Sequence, residues 1–380
     1  MDFRLTEEQQ MVRDTARAFA EEHVLPGADE RDKTRAFPIE PFRRSGEYGF
    51  AGVCVPEAYG GAGLGNVELS LTLIEVNRAC ASTGVTLSVH NSLCCAALVN
   101  AGTEEQKQRF LPRLASAEHL GAYSLSEAGC GSDAAALVCA ARDDGDAFVV
   151  SGTKLWVTSA THADVFIVFV RTSREDKPSR GITCLVVEKD TPGFRVSKKE
   201  DKLGIRASST CELVFEECRV PKANVLGAVG RGFPVAMELL DGGRIGIASQ
   251  AIGIARASIE ASVRYAKERH AFGRPIADFQ AIRAKLAEMH ARTEAAELLT
   301  LRAAWLKDKG LPHGTEASCA KLLASQAANH CAREAVQIHG GAGYLEDFPV
   351  ERYMRDARIT EIYEGTTEIQ RLVISRALLD

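Results

Sequence analysis

One carboxylate near the end of the chain is placed where it could do chemistry. Glu364 stands beside Gly365 in RDARITEIYEGTTEIQR, residues 355–371, a stretch that otherwise has a helical pattern. The glycine indicates a break in the helix or a close backbone approach. On such a break, beside the hydroxyls of Thr366 and Thr367, a carboxylate can point into a pocket where desolvation raises its pKa. An exposed glutamate at a helix end is the alternative that this pattern leaves open.

A glycine-rich loop is a second candidate site. Gly129, Gly131 and Ala134 match G-x-G-x-x-[GA], the dinucleotide fingerprint, which requires a strand before it and a helix after it. Residues 140–151 instead read as a polar turn and a β-like stretch, so a Rossmann site is not expected. The backbone N–H groups and hydroxyls of residues 124–132 can still hold a phosphate or a polar ring edge, although a plain surface turn is the simpler interpretation.

Other common catalytic motifs are missing from the sequence. It contains no G-x-x-x-x-G-K-[ST], no H-E-x-x-H and no Cys/His set at zinc spacing, and its nine histidines are scattered. The sequence therefore predicts neither nucleoside triphosphate hydrolysis nor a metal site.

The positions of proline outline the helices that must position these residues, because a proline inside a helix destabilises it by about 3 kcal/mol. Apolar residues recur at helical spacing within residues 3–24, 244–269, 282–309 and 317–338, and the last three ranges lack proline. The middle of the chain has short runs rich in β-branched and aromatic residues, which predict strands at residues 148–150, 165–170, 182–187 and 213–215. Asp144-Gly145 and Pro192-Gly193 mark turns between them.

Helices, then strands, then long helices indicate segregated elements rather than βαβ units. We therefore predict an α+β, mainly α, fold with three domains. They are an N-terminal helical domain (1–117), a middle β-barrel-like domain (118–226) and a C-terminal four-helix domain (227–380).

Composition limits the classes of protein that this chain can belong to. Its 380 residues include 46 Lys plus Arg and 51 Asp plus Glu, a formal charge of −5 without a basic block, so nucleic acid is not an expected partner. Apolar runs are shorter than the roughly 20 residues of a membrane span. The amino terminus, MDFRLTEEQQ, has no apolar signal core, and eleven cysteines fit reduced thiols, so a cytoplasmic location is expected.

Seven ordered sequence blocks resemble the acyl-CoA dehydrogenase family, and especially its short-chain (butyryl-CoA) members. The blocks are YSLSEAGCGSD (123–133), LWVTSA (155–160), KEDKLGIRASST (199–210), LDGGRIGIASQAIG (240–253), ERHAFGRPI (268–276), QIHGGAGY (337–344) and IYEGTTEIQR (362–371). They cover nearly the whole chain. The resemblance implies the same three-domain order, noncovalent FAD and a homotetramer built as a dimer of dimers.

The resemblance also implies functional residues. It places flavin contacts at Tyr123, Leu125, Ser126, Gly131, Ser132, Trp156, Val157, Thr158, Thr366, Thr367 and Glu368. Contacts made to FAD across the dimer are implied at Arg269, Phe272, Gln280, Gln337, Ile338, His339, Gly340 and Gly341. Substrate contacts are implied at Ser132, Asp241, Gly242, Gly243, Arg244, Glu364 and Gly365.

Glu364 matches the catalytic base of the family. The resemblance implies that it removes the α-proton of an acyl-CoA while flavin N5 takes the β-hydride, which gives a trans-2-enoyl-CoA, and that electrons pass to an electron-transfer flavoprotein. The base's backbone N–H and a flavin ribityl hydroxyl would stabilise charge on the thioester oxygen. Isovaleryl-CoA enzymes carry the base at the position of Gly243, and glycine cannot serve, which favours straight-chain substrates; short-branched substrates stay open.

The sequence departs from the family pattern at Ala128, where relatives have a proline that stiffens the flavin loop. Weaker FAD binding is one expected consequence. Two other functions remain as alternatives, an oxygen-reducing enzyme like the acyl-CoA oxidases and a flavin-poor assembly protein that only keeps the fold. The chain ends at Asp380 without the extra domain of typical oxidases, which disfavours the first.

Overall fold

A computed structural model describes residues 4–379. The N-terminal part is helical: its outer helices bury one apolar face, whereas Asn66–Ala79 and Ala81–Val89 are buried on nearly all sides. Thr6 and Thr103 each form a capping box at the start of a helix. Its helices are α1 Glu7–Phe19, α2 Ala28–Thr34, α3 Ile39–Glu47, α4 Asn66–Ala79, α5 Ala81–Val89, α6 Ala96–Ala101 and α7 Glu104–Ala115. A π-helical turn, His90–Cys95, joins α5 to α6.

The middle part is one eight-stranded sheet. Its strands are β1 Gly121–Ser124, β2 Ala140–Asp144, β3 Ala147–Thr158, β4 Val165–Arg171, β5 Ile182–Glu188, β6 Phe194–Lys199, β7 Thr210–Pro221 and β8 Val225–Leu226. The order is β6-β7-β3-β2-β4-β5-β8, with β1 parallel to β4, so β6 and β8 form the ends of the sheet. The four predicted strands lie within β3, β4, β5 and β7. The predicted turn at Gly145 closes the β2–β3 hairpin, and the residue has φ +76°.

The C-terminal part consists of three long helices, of 26 to 37 residues, and two shorter ones. They are α8 Gly232–Glu268, α9 Gln280–Asp308, α10 Gly314–His339, α11 Val350–Ala357 and α12 Thr367–Leu379, with a short hairpin of β9 His270–Ala271 and β10 Arg274–Pro275 after α8. α10 packs against α8, α9, α11 and α12. The segment between α11 and α12 carries Glu364 and is the predicted break, since α12 begins only at Thr367. The predicted α+β, mainly α, fold with three regions is confirmed.

One continuous segment of the core, Ala81–Ala101, is long and apolar enough to cross a membrane. In its most apolar window 89% of the residues are buried inside the protein. This burial identifies it as a core helix that packs between the N-terminal helices, α8 and β1.

Candidate active site

Glu364 lies on a strained break between two helical segments. Its φ is +51°, and Gly365 follows at +91°, so two consecutive residues have left-handed backbone. For a residue other than glycine this conformation costs on the order of 1–2 kcal/mol and persists only where neighbours hold it.

Three side chains from other elements hold the break. The Tyr363 hydroxyl donates to Gln250 Oε1 on α8, and Lys321 Nζ on α10 donates to the Gly365 carbonyl. Gln370 Nε2 on α12 donates to the same carbonyl at 2.9 Å. The chain on both sides of the Glu364 carboxylate is therefore tied to helices.

The Glu364 carboxylate faces α8 at Gly243. A β-carbon added to Gly243 would lie 2.0 Å from Oε2 and 3.1 Å from Leu93 Cδ2, so only glycine leaves room for the acid. Oε2 is buried and has no hydrogen-bond partner. Burial raises the pKa of Glu364 to about 7, against the opposing positive charges of Lys321 and Arg244. The exposed helix-end alternative does not describe this side chain.

Asp241 and Arg244 form an ion pair beside the carboxylate. Arg244 Nη1 lies 2.5 Å from Asp241 Oδ1 and 3.2 Å from Ser318 Oγ. Arg244 is 7% exposed, and its Nε is buried without a partner. Gly242, Gly243 and Gly365, which share this region with the pair, complete most of the predicted substrate set. Ser132, the remaining member, is exposed on the loop after β1.

The predicted flavin residues of the middle domain come together at the ends of β1 and β3. Leu155 N donates to Ser126 O at 2.9 Å, which joins the loop after Tyr123 and Leu125 to the strand that carries Trp156, Val157 and Thr158. Gly131 leaves open space at its β-carbon position, and the Gly129–Asp133 loop leads into a single 3₁₀ turn and then β2. This is not the strand and helix that a Rossmann site requires.

The described residues fit a flat aromatic cofactor such as a flavin at this place. Trp156 is 56% exposed. Its φ of +59° is unusual for a bulky residue, and such backbone strain clusters at functional sites. The Tyr123 hydroxyl and Ser124 Oγ are buried without hydrogen-bond partners. The two side chains point to opposite faces of β1, and the Tyr123 hydroxyl lies on the side that faces Glu364. An open indole and an unpaired hydroxyl beside the acid suit a flat ring that carries polar edges.

A buried ion pair that sequence reasoning missed holds the loop of residues 125–132, which is predicted to contact the flavin. Lys154 Nζ lies 2.7 Å from Glu127 Oε1 and donates to the Leu125 carbonyl at 3.1 Å. The Glu127 carboxylate also accepts from the backbone N–H of Val138 at 2.7 Å and of Cys139 at 3.0 Å. These bonds fix the loop without the proline that Ala128 replaces.

We expect Lys154→Met to destabilise the protein by about 3–5 kcal/mol, because it leaves the Glu127 carboxylate buried without its cation. Urea unfolding measures the change, and FAD affinity should fall with it. Lys189→Met is the control, since its ion pair with Asp164 is half exposed on the lysine side and should contribute less than about 1 kcal/mol. Equal effects of the two substitutions would contradict this assignment.

The remaining predicted flavin residues form a second group far from Glu364. Arg269 follows α8, 26 residues after Gly243, which is about 39 Å along a helix axis. Phe272, 95% exposed, and Gln280 follow it, and His339 stacks on Tyr265 at 4.2 Å between ring centres. Gln337, Gly340 and Gly341 are exposed, and Ile338 is buried. One chain does not bring this group to Glu364, and its contacts to FAD across a dimer stay a prediction.

The third set of predicted flavin contacts starts directly after the break. Thr366 and Thr367 are partly buried, whereas Glu368 is exposed in the first turn of α12. The pKa of Glu368 is lowered by hydrogen bonds from its own backbone and from Thr366.

Comparison with known proteins identifies the family. Sequence models for the N-terminal, middle and C-terminal domains of acyl-CoA dehydrogenase match residues 6–118, 122–218 and 230–379. The chain belongs to the acyl-CoA dehydrogenase family. It is therefore an FAD-dependent oxidoreductase.

Individual members of the family show how similar the chain is. The short-chain specific mitochondrial acyl-CoA dehydrogenase of Rattus norvegicus is 50% identical over 375 residues, which is 99% of this chain and 91% of the relative. The structure of butyryl-CoA dehydrogenase from Megasphaera elsdenii has a TM-score of 0.98 at 42% identity and covers both chains fully. A chain from the structure described as the electron transferring flavoprotein of Acidaminococcus fermentans has a TM-score of 0.98 at 47% identity, again over both full chains.

Proposed function

We propose that the protein dehydrogenates a short-chain acyl-CoA to the trans-2-enoyl-CoA, with Glu364 as the base that removes the α-proton. The observation that carries the proposal is the Glu364 carboxylate, whose Oε2 is buried, unpartnered and directed at α8. Acyl-CoA dehydrogenation itself follows from the family. The base and the chain length are our assignments.

The chemistry explains why a carboxylate with a raised pKa is needed. An α C–H bond of a thioester is weakly acidic, and a base with a pKa near neutrality can accept its proton efficiently. The backbone N–H of Glu364 is the proposed donor to the thioester oxygen, where negative charge develops as the proton leaves. When bound, FAD supplies the acceptor for the β-hydride.

The other residues of the site bind and orient. Asp241 and Arg244 form the proposed substrate-binding pair, held together at 2.5 Å and fixed by Ser318. Tyr123, Leu125, Ser126, Gly131 and the Trp156–Thr158 strand end are the proposed flavin contacts within the chain.

The short-chain assignment is supported by the names of similar proteins, which specify short-chain and butyryl-CoA substrates. Turnover of C4, C5, C6 and C8 acyl-CoAs, straight and branched, tests it. We expect the highest kcat/KM with butyryl-CoA. A preference for a branched C5 substrate would instead favour a short-branched-chain enzyme, and a preference for C8 would contradict the assignment.

The raised pKa of Glu364 predicts how the rate depends on pH. Only the ionised carboxylate can accept the α-proton, so the rate should rise tenfold per pH unit below about 7 and level off above it. Stopped-flow reduction of the bound flavin by butyryl-CoA between pH 5.5 and 9 measures the profile. A midpoint near pH 4.5, the ordinary value for a glutamate, would contradict a desolvated base.

We further propose that the electrons pass to an electron-transfer flavoprotein and that the enzyme is a homotetramer. The similarity to a chain from a structure described by that flavoprotein supports the first point. The second group of flavin residues, about 39 Å from Gly243 along α8, supports an FAD site shared between subunits. Rapid peroxide release during aerobic turnover would favour an oxidase instead, and a monomer in sedimentation would exclude the shared site.

A cytoplasmic location stays a prediction, which fractionation of the source cells would check.

A further inference from the structure

Lys321 is a buried cation that neither the family comparison nor the proposed mechanism uses. It is 1% exposed on α10, among alanines that face the core. Burying an ammonium group is costly unless it is paired or hydrogen-bonded, and burial lowers the pKa of Lys321 to about 8. A buried lysine at this place therefore needs an explanation in what it contacts.

The ammonium group of Lys321 is directed at the break that carries Glu364. It donates to the carbonyl of Gly365, the residue with φ +91°, and Gln370 Nε2 donates to that same oxygen. The left-handed conformation of Glu364 and Gly365 depends on neighbours that hold it. Lys321 supplies one such contact from a long helix that packs against α8.

Lys321 also affects the charge of the Glu364 carboxylate. Its positive charge opposes the effect of burial on the pKa of Glu364 more strongly than Arg244 does. Arg244 is already paired with Asp241 at 2.5 Å. Within residues 4–379 Lys321 forms no side-chain ion pair, so its charge is not committed to another carboxylate.

The groups that face Glu364 come from several elements. They are Lys321 from α10, Arg244 from α8, Tyr123 from β1 and Tyr363 from the same segment. Both tyrosine hydroxyls are neutral near pH 7, because burial raises their pKa values well above 10. Glu361 and Glu368 also act on Lys321, but Glu361 is paired with Arg358 and Glu368 is exposed. Among the described residues, Lys321 and Arg244 are thus the two cations facing the acid.

We propose that Lys321 is a positioning residue for the proposed base, one that fixes the Glu364–Gly365 break through the Gly365 carbonyl and keeps the Glu364 carboxylate ionised near neutral pH. The inference rests on the proposed function, in which Glu364 must be ionised to accept the α-proton. It assigns two separable contributions to one side chain, a hydrogen bond and a charge.

Substitutions at Lys321 separate these contributions. Lys321→Gln keeps a hydrogen-bond donor and removes the charge, Lys321→Met removes both, and Lys321→Arg keeps both. Lys202→Gln is the matched control, because Lys202 is a partly buried lysine that also donates to a backbone carbonyl, that of Ser208, in the middle part of the chain. Thermal melting and the absorbance of bound FAD establish that each variant is folded.

Two measurements report the protonation of the Glu364 carboxylate as the pH changes. The first is the pH profile of flavin reduction by butyryl-CoA. The second does not depend on activity and is the carboxylic acid infrared band, assigned to Glu364 by its loss in Glu364→Gln. We expect Lys321→Gln to move both midpoints up by about one pH unit, which lowers the rate about tenfold at pH 6 and leaves it unchanged near pH 9.

The other variants give distinct expected results. Lys321→Met should show the same shift and an additional loss at every pH, because the break is then held less firmly. Lys321→Arg should keep the midpoint of Glu364 at its wild-type value, and Lys202→Gln should not move that midpoint either. Should Lys321→Gln and Lys321→Met both fail to fold, the wild-type infrared midpoint still tests the charge: a value above about pH 8 would mean that neither Lys321 nor Arg244 keeps the acid ionised and would overturn the inference.

Failure of this inference differs from failure of the proposed function. If Glu364→Gln is inactive but Lys321→Gln titrates like wild type, Lys321 has no electrostatic part in positioning and the inference is wrong. An equal loss at every pH in Lys321→Gln would likewise reduce Lys321 to a structural residue. If Glu364→Gln still reduces flavin rapidly, the proposed base itself is wrong.

Discussion

Glu364→Gln is expected to lower the rate of flavin reduction by butyryl-CoA by a factor on the order of 10³–10⁴, the upper part of the range for a general base. The amide has nearly the same size as the acid but cannot accept the α-proton. It should leave the protein folded and yellow, because Oε2 makes no hydrogen bond that the substitution would break. Anaerobic stopped-flow absorbance measures the loss of flavin colour.

Glu361→Gln is the matched control for this substitution. Glu361 lies three residues earlier, and its carboxylate is paired with Arg358. Its loss should change the rate less than about twofold, since an exposed ion pair contributes little. Rapid bleaching by Glu364→Gln, or equal losses in both variants, would contradict Glu364 as the base.

Glu364→Gln should also be more stable than wild type at high pH. The folded pKa of Glu364, about 7, lies above the ordinary value of 4.5, so ionisation favours the unfolded state. The loss of unfolding free energy caused by ionising Glu364 is absent below pH 4.5, grows up to about pH 7 and then stays constant at about 3 kcal/mol. The difference in unfolding free energy between Glu364→Gln and wild type should follow this curve. A constant difference from pH 4 to 8 would argue against a desolvated carboxylate.

The sequence predicts the helices well because their apolar spacing and proline limits are local properties. Residues 282–309 were predicted as helix, and α9 is Gln280–Asp308. The predicted helix from residue 244 begins instead at Gly232, because Pro234 lies in the first turn of α8, where its missing N–H leaves no hydrogen bond unmade. The break at Gly365 was also predictable, since an isolated glycine within a helical pattern indicates that the helix is interrupted there.

The side chains that support the site could not be predicted in the same way. Lys154 is fully buried within β3, but the polar residues around it reduced the predicted strand to residues 148–150. Lys321 lies 43 residues before Glu364, and only the packing of α10 brings them together. One signal was available: Lys321 falls four residues after Ala317 and so shares its core-facing side of α10. Function follows from such long-range contacts, which local patterns do not contain.

Gly243→Ala is expected to lower kcat by about 10²-fold although it adds a single methyl group. That carbon would lie 2.0 Å from Glu364 Oε2, so the carboxylate must move away from α8. A displacement of about 1 Å at a reacting group can cost a factor of this size. The helix itself should gain up to about 1 kcal/mol, since alanine is favoured over glycine in a helix interior. Steady-state kinetics and thermal melting measure the two effects.

Gly246→Ala separates displacement of the base from crowding of the same helix. Its added carbon would lie 2.5 Å from Ser88 Oγ on α5 and would not meet the carboxylate. This variant should therefore lose some stability and keep most of its activity, the reverse of Gly243→Ala. Full activity in Gly243→Ala would show that the acid works from a different position. Equal losses in the two variants would show that close packing of α8, rather than the place of one carboxylate, limits the reaction.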